Sequence, residues 1–203
     1  MHEGQLFIVS GPSGVGKGTI CRELLKEKTG IELSISMTTR KPRPGEVDGK
    51  SYYFVSHEQF DNKIKADGFL EYAHVYENYY GTPKQEVLDM LKKGTDVILE
   101  IDTQGALLAK KQYPNGVFVF ILPPSMAVLR QRLVDRRSET EEQINLRLNT
   151  AMTEISFITE YDYYIVNETL SESVARMKEI VMAERSKVTK NIRDVIQKYR
   201  EEI

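Results

Sequence analysis

Four short runs, Leu6 to Val9, Val97 to Leu99, Val117 to Leu122 and Tyr163 to Val166, carry no charged or strongly polar residue. A strand with one wet face alternates, so unbroken runs of this length predict parallel strands buried on both sides. Other apolar positions fall at helical spacing. Ile20, Cys21, Leu24 and Leu25 mark one inward face, and Val87, Leu88 and Leu91 another. Strand and helix in alternation predict an α/β fold, a three-layer core with a parallel central sheet.

Two stretches break that rhythm. In residues 37–84, Asp48-Gly49 before Tyr52-Tyr53-Phe54-Val55 predicts a hairpin, followed by a short helix around Phe60 and Ile64 and a second strand from Glu71 to Tyr76. This is a small mixed α/β insertion. Residues 125–156 follow Pro123-Pro124, and Thr140-x-x-Gln143 there is a capping box for a helix that turns Ile144, Leu148, Ala151 and Ile155 inward. The expected organisation is one domain over 1–203, with a core of 1–36, 85–124 and 157–203. A last periodic pattern runs from Val174 through Met177, Val181, Val188, Ile192 and Val195 to Tyr199. Read as one helix of about 26 residues it would be near 39 Å long. Its distal apolar face needs cover, from the core or from a homodimer partner through this helix.

Composition narrows the class. The 203 residues suit a single domain. Lys and Arg total 28 against 30 Asp and Glu, a net charge of -2, so no global basic field draws the chain to nucleic acid or a membrane surface. No apolar run approaches the roughly 20 residues of a membrane span. The first ten residues lack a signal-peptide pattern, and one cysteine, Cys21, suits a reducing compartment, so the expected location is cytoplasmic. Cys21 reads as a small core residue. His2, His57 and His74 have no metal-ligand spacing.

The chemistry begins after the first strand. Gly11-Pro12-Ser13-Gly14-Val15-Gly16-Lys17 fits GxxxxGK between a strand and a helix, followed by Gly18 and Thr19. Glycines let successive N–H groups turn inward as an anion nest, the helix N-terminus adds partial positive charge, and Lys17 reaches the outer phosphates. The fold class is therefore a P-loop fold binding ATP. Gly18 stands where a hydroxyl residue usually follows the lysine, which leaves the direct Mg²⁺ ligand unassigned. The GKGT ending resembles the nucleoside monophosphate kinases. Further on, Arg40, Arg43 and Tyr52 lie in a proline-flanked basic segment, either a solvated loop or a second phosphate clamp.

The segments SISMTTRKPRPGEVDGKSYYF, ENYYGTP, ILEIDTQG and RLVDRRSETEEQINLRL together resemble the guanylate kinase family over nearly the whole chain. The resemblance implies phosphorylation of GMP to GDP by ATP with Mg²⁺, in purine nucleotide metabolism and GMP recycling. It implies that Arg40, Arg43, Tyr52 and Tyr80 hold the GMP phosphate while Ser36, Glu71, Thr82 and Asp102 read the base. A carboxylate suits guanine's N1–H and N2–H₂ donors, and hydroxyls suit its O6. Two of these have other readings: Thr82-Pro83-Lys84-Gln85 is also a capping box, and Asp102 can be a solvent-facing helix entry. Met37 and Arg137 depart from the family's usual serine and glycine.

Arg130, Arg132, Arg136, Arg137 and Arg147 load the second insertion with charge. Such a run reads as a solvated helix face or, beside two phosphate sites, as a helical lid. The resemblance gives lid roles in catalysis to Arg132, Arg136 and Arg147, alongside Lys17. A phosphate monoester is largely dianionic near neutral pH, so its oxygen attacks without a general base, which agrees with a site rich in arginine and poor in histidine. Two alternatives stand: a catalytically inactive guanylate-kinase-like module that binds phosphopeptides, or another small-molecule P-loop kinase.

Overall fold

Strand β1 (Leu6–Ser10) is buried along its whole length at the centre of a five-stranded sheet. In the computed structural model, which describes residues 3–27, 30–75, 77–135, 140–188 and 192–202, it leads into α1 (Lys17–Lys26) and β2 (Ile31–Leu33). A second, smaller sheet follows, made of β3 (Met37–Thr38), β4 (Tyr53–Phe54), β5 (Phe69–Val75) and β6 (Asn78–Pro83), with α2 (His57–Lys65) between β4 and β5. The chain then returns through α3 (Lys84–Lys92), β7 (Asp96–Glu100), α4 (Thr103–Gln112) and β8 (Val117–Leu122). Helices α5 (Met126–Val134) and α6 (Glu141–Ser156) and a 3-10 turn, Phe157–Glu160, precede β9 (Tyr163–Val166), α7 (Leu170–Arg185) and α8 (Ile192–Glu201).

The large sheet runs β2-β7-β1-β8-β9 and every pairing is parallel. Its two faces explain the unbroken apolar runs. Phe7, Val9, Ile98, Val119 and Ile121 pack with Ile20, Leu24, Met177 and Val181 of α1 and α7. Leu6, Ile8, Val97, Leu99 and Phe118 pack with Val87, Leu91 and Ala106 of α3 and α4. Each fully buried Leu or Ile contributes about 1.5–3 kcal/mol, and Leu91→Ala would cost about 2–5 kcal/mol in lost transfer and cavity. The arrangement is the three-layer α/β fold that the pattern predicts. Strand β2 was not signalled, because at the sheet edge only Ile31 of its three residues is buried.

Three expectations need correction. Asp48-Gly49 makes no antiparallel hairpin: β4 pairs in parallel with β3, and the Asp48 carboxylate accepts from the Phe54 N–H at 2.9 Å. Thr82 does not cap α3; it lies within β6 and the N-cap is Pro83. The C-terminal pattern is two helices rather than one. After Arg185, the Ser186 hydroxyl bonds back to the Met182 carbonyl at 3.0 Å, and Lys187 folds onto Glu184 at 3.2 Å. Such side-chain bonds compete with helix continuation. Val188 is 78% exposed, so no packing holds the chain helical there. The periodicity carries on because α8 is amphipathic in its own right.

The capping box at Thr140 forms as expected, with Gln143 N donating to Thr140 Oγ1 at 3.3 Å and Thr140 N to Gln143 Oε1 at 2.9 Å. Ile144 and Ala151 of α6 pack on Leu129 and Leu133 of α5, joining the two helices. Ser125 starts α5 by accepting from Val128 N at 3.1 Å.

Candidate active site

All five strands of the large sheet point their carboxyl ends to one side, where the phosphate loop leaves β1. The loop turns through Gly11 at φ 141°, Gly14 at 86° and Gly16 at 101°, conformations that L side chains rarely adopt. A Cβ on Gly11 would lie 2.3 Å from the Ile121 carbonyl oxygen, so the loop needs glycine there for space as well. Gly16 is the N-cap of α1, with no side chain capping the helix and no acidic residue in its first turn. The first N–H groups therefore stay open to an anion.

Lys17 curls over this loop, donating to the carbonyls of Gly11 at 2.5 Å and Pro12 at 3.1 Å. Burial pulls its ammonium below the usual lysine range, while Glu100, Glu154 and Asp102 oppose that shift. A Cβ at Gly18 would lie 2.8 and 3.0 Å from the carboxylate oxygens of Glu100, so the position that lacks a hydroxyl faces a carboxylate instead. Thr19 is exposed and its hydroxyl accepts from Arg22 at 3.3 Å. Glu154 of α6 takes a hydrogen bond from the Ser13 N–H, and burial holds its carboxyl above the ordinary value. Burial pushes the Cys21 thiol up to about 12, so it serves the core.

Helices α5 and α6 meet the loop directly. Arg132 donates to the carbonyls of Val15 at 3.1 Å and Asn167 at 2.9 Å. Arg147 donates to the Ser13 hydroxyl at 2.9 Å. Arg130 pairs with Glu141 on the surface. Arg136 and Arg137 lie outside the described residues. Asn167, just beyond β9, donates its amide to the Val15 carbonyl at 2.8 Å and accepts from Ser173 at 2.8 Å, holding the loop from below.

On the smaller sheet, Glu71 of β5 and Thr82 of β6 face each other, and the Thr82 hydroxyl donates to Glu71 Oε1 at 2.6 Å. Both are buried. Burial raises the Glu71 carboxyl to about 7; the Thr82 bonds oppose the shift and nearby Asp102 adds to it. A Cβ on Gly105 would sit 3.1 Å from Glu71 Oε2 and 3.3 Å from Asp102 Oδ1, so the two carboxylates converge where the small sheet meets α4. Asp102 also caps α4, accepting from Gly105 N at 2.7 Å. Its reading as a solvent-facing helix entry is thus borne out. Ser36 is half-buried at the entry to β3, its carbonyl accepting from Tyr53 N at 2.9 Å.

Arg40 lies 5.4 Å from the centre of the Tyr52 ring, and the Tyr52 and Tyr80 rings meet edge-on at 6.1 Å. Arg40 forms a two-pronged ion pair with Glu46 at 2.8 and 2.9 Å and a hydrogen bond with Tyr80. Arg43 is exposed and enters this cluster through its backbone N–H, which donates to Glu46 at 2.7 Å. Four residues at the site had not been singled out from the sequence: Glu46, Glu100, Glu154 and Asn167. Asn167 had a signal, because ligand crevices in such sheets lie beyond the strands' carboxyl ends. Glu154 had another, at i+7 from Arg147 on the same helix face.

Among the described residues, no group of three His, Cys, Asp or Glu is placed to hold a metal, and no helix is long and apolar enough to cross a membrane. A family model described as guanylate kinase matches residues 3–184. A guanylate kinase of Clostridioides difficile is 50% identical over 203 residues, covering 100% of this chain and 99% of that protein. One from Clostridium tetani is 52% identical over 196 residues, covering 97% of this chain and 93% of that one. The crystal structure of guanylate kinase from Anaplasma phagocytophilum superposes with a TM-score of 0.77 at 36% identity, covering 97% of this chain and 95% of that one.

Proposed function

Because the chain belongs to the guanylate kinase family, and so converts ATP and GMP into ADP and GDP, we propose that three parts of one domain divide the work. The core, 1–36, 85–124 and 157–203, binds ATP through residues 11–19. The insertion, 37–84, binds GMP, and the lid, 125–156, closes over the transferring group. This division is supported by the separate four-stranded sheet over Met37–Pro83 and by the helix pair α5 and α6.

The observation that supports this assignment is the convergence of the buried Glu71–Thr82 pair on Asp102, which follows a strand of the same parallel sheet whose central strand leads into the phosphate loop. The uncapped start of α1 with Lys17 takes the ATP phosphates. Arg40, Tyr52 and Tyr80, with Arg43 beside them, take the GMP phosphate. Glu71, Thr82, Asp102 and Ser36 read guanine. A GMP phosphate oxygen attacks the γ-phosphorus of ATP in line; the new P–O bond forms as the bond to the bridging oxygen breaks, and the electron pair leaves with ADP. The attacking oxygen is already ionised, so no side chain removes a proton. Lys17, Arg132, Arg147 and Arg136 lower the energy of the spread charge, and the closing insertions exclude water. To serve in the transition state, Lys17 exchanges its loop carbonyls for phosphate oxygens.

Mg²⁺ would fit this oxygen-rich setting chiefly as the companion of the ATP phosphates, with the Glu100 carboxylate beside Gly18 as the candidate protein group to hold it. When bound it neutralises charge on those phosphates. A cytoplasmic place in purine nucleotide metabolism, without nucleic acid as partner, follows from the same reading. A homodimer through the C-terminal segment is supported by Val188, Ile196 and Tyr199, 78%, 45% and 67% exposed. The test is a coupled assay of ADP formation with ATP and Mg²⁺ against GMP, AMP, UMP and sugar phosphates. Turnover with GMP far above the others is expected; none with GMP would remove the reading.

A further inference from the structure

The acceptor-phosphate cluster contains an anion of its own. Glu46 spans Arg40 with both oxygens, Oε2 to Nη1 at 2.8 Å and Oε1 to Nη2 at 2.9 Å, and the two side chains are only 14% and 21% exposed. The same Oε2 accepts from the Arg43 N–H at 2.7 Å, while Glu46 N donates back to the Arg43 carbonyl at 3.0 Å. One carboxylate thus closes the loop between the two arginines. Arg40 is further fixed by Nη1 donating to the Lys41 carbonyl at 2.8 Å and by the rings of Tyr52 and Phe54 at 5.4 and 5.7 Å. Its Nε is buried without an acceptor, so the protein alone does not satisfy the guanidinium.

We infer that Glu46 is a positioning residue for GMP: by gripping Arg40 and the Arg43 backbone it sets the direction in which the arginines meet the acceptor phosphate. This rests on Arg40 holding that phosphate. A guanidinium on a flexible stem loses less freedom on binding when a bidentate carboxylate already fixes its plane. The pair persists across the working pH range, since Arg40 holds the Glu46 carboxyl down to about 2. A competing role would be that of a place-holder, a carboxylate that blocks the arginine until phosphate displaces it. The two roles move GMP use in opposite directions.

The experiment is steady-state kinetics of the full chain with GMP varied at saturating ATP, for wild type, Glu46→Gln, Glu46→Asp and Arg40→Ala, with guanosine as a competitive inhibitor lacking the phosphate. Glu46→Gln keeps the shape but offers only one acceptor oxygen. Its KM for GMP is expected to rise by roughly 10–100-fold, within the cost of misplacing a substrate-holding group by about 1 Å. The kcat, the KM for ATP and the inhibition constant of guanosine should hold within about threefold, and Glu46→Asp should recover part of the loss. An unchanged or lower KM for GMP overturns the positioning role. So does a parallel loss of guanosine and ATP affinity, which marks general damage to the fold. If Arg40→Ala raises KM for GMP while Glu46→Gln does not, only this inference fails. If neither does, Arg40 is not the phosphate ligand and the reading of the site fails with it.

Discussion

Thr82 donates its hydroxyl to Glu71 Oε1 at 2.6 Å across the β5–β6 pair, which leaves Glu71 Oε2 facing Gly105 and the Asp102 carboxylate. One oxygen is tied and the other is directed to where two elements meet. On the proposed assignment this carboxylate would accept from guanine's N1–H and N2–H₂. Adenine presents a lone pair at N1 and meets like polarity.

Glu71→Gln should therefore collapse discrimination. Sites that read a polar group can reject a substrate lacking it by roughly 10⁴–10⁵. The ratio of kcat/KM for GMP over AMP is expected to fall by at least about 100-fold, mostly through GMP. A ratio equal to wild type would move base reading to Ser36, Thr82 and Asp102.

The same carboxyl makes GMP binding depend on pH. Burial puts it at about 7 in the free protein, so the ionised form that guanine needs is gained as pH rises through 7. GMP affinity of the free enzyme should increase over that range and level off above it, and Glu71→Gln should flatten the profile.

Stability runs the other way. The folded-state value lies above the ordinary 4.5, so the protonated carboxyl contributes stability that is complete below about 4.5 and is lost as pH rises through about 7. Up to about 3 kcal/mol is involved. Without ligand, Glu71→Gln should melt higher than wild type at pH 8 and at the same temperature near pH 4; equal melting at pH 8 would refute it.

Lys17→Ala should reduce turnover by roughly 10³–10⁵, the range for a cation that neutralises a transferring phosphoryl group, with the circular dichroism spectrum unchanged. Near-normal turnover in a folded variant would remove Lys17 from the reaction.

The two described lid arginines should separate. Arg132 donates to the carbonyls of Val15 and Asn167; Val15 keeps the Asn167 amide as a donor, so loss of Arg132 bears chiefly on the Asn167 carbonyl and costs about 1–3 kcal/mol. At about 2–4 °C per kcal/mol for a chain of this size, Arg132→Ala should lower Tm measurably. Arg147 donates to the hydroxyl of exposed Ser13 at 2.9 Å, a bond that water can replace, so Arg147→Ala should reduce turnover with a smaller loss of Tm than Arg132→Ala. Equal Tm losses would show that both act mainly on the fold.

Much of this was legible where the signal is local. The loop from Gly11 to Lys17 encodes its shape in its own glycines, and the buried strands declare themselves through unbroken apolar runs. What stayed hidden depends on distance along the chain or on competition. Asn167 supports Val15 across the fold, and no spacing rule links those positions. Glu46 is one carboxylate among cations, which reads as solubilising until its two oxygens are seen on Arg40. Thr82 satisfied a capping pattern yet lies in a strand, because its hydroxyl does better against the buried Glu71. Ser186 ended a helix whose apolar period continued, because Val188 found nothing to pack on.

That helix break fixes where to cut. Truncation after Val188 removes α8 and leaves α7 whole, so the kinase fold should persist while any dimer made through the tail dissociates. Sedimentation of both chains decides it; two monomers would end the homodimer proposal.

The order of the small sheet, β4-β3-β6-β5, makes it a lever. Its β5 edge rests beside α4, where Glu71 and Asp102 converge, and β4 with the loop that carries Arg43 and Glu46 lies three strands away, about 14 Å at normal spacing. Rotation about the inner edge leaves the base near the fulcrum and sweeps the arginines through the longest arc: a 20° swing carries them about 5 Å. On the proposed assignment, guanine would be gripped where little moves and the acceptor phosphate delivered by the end that travels.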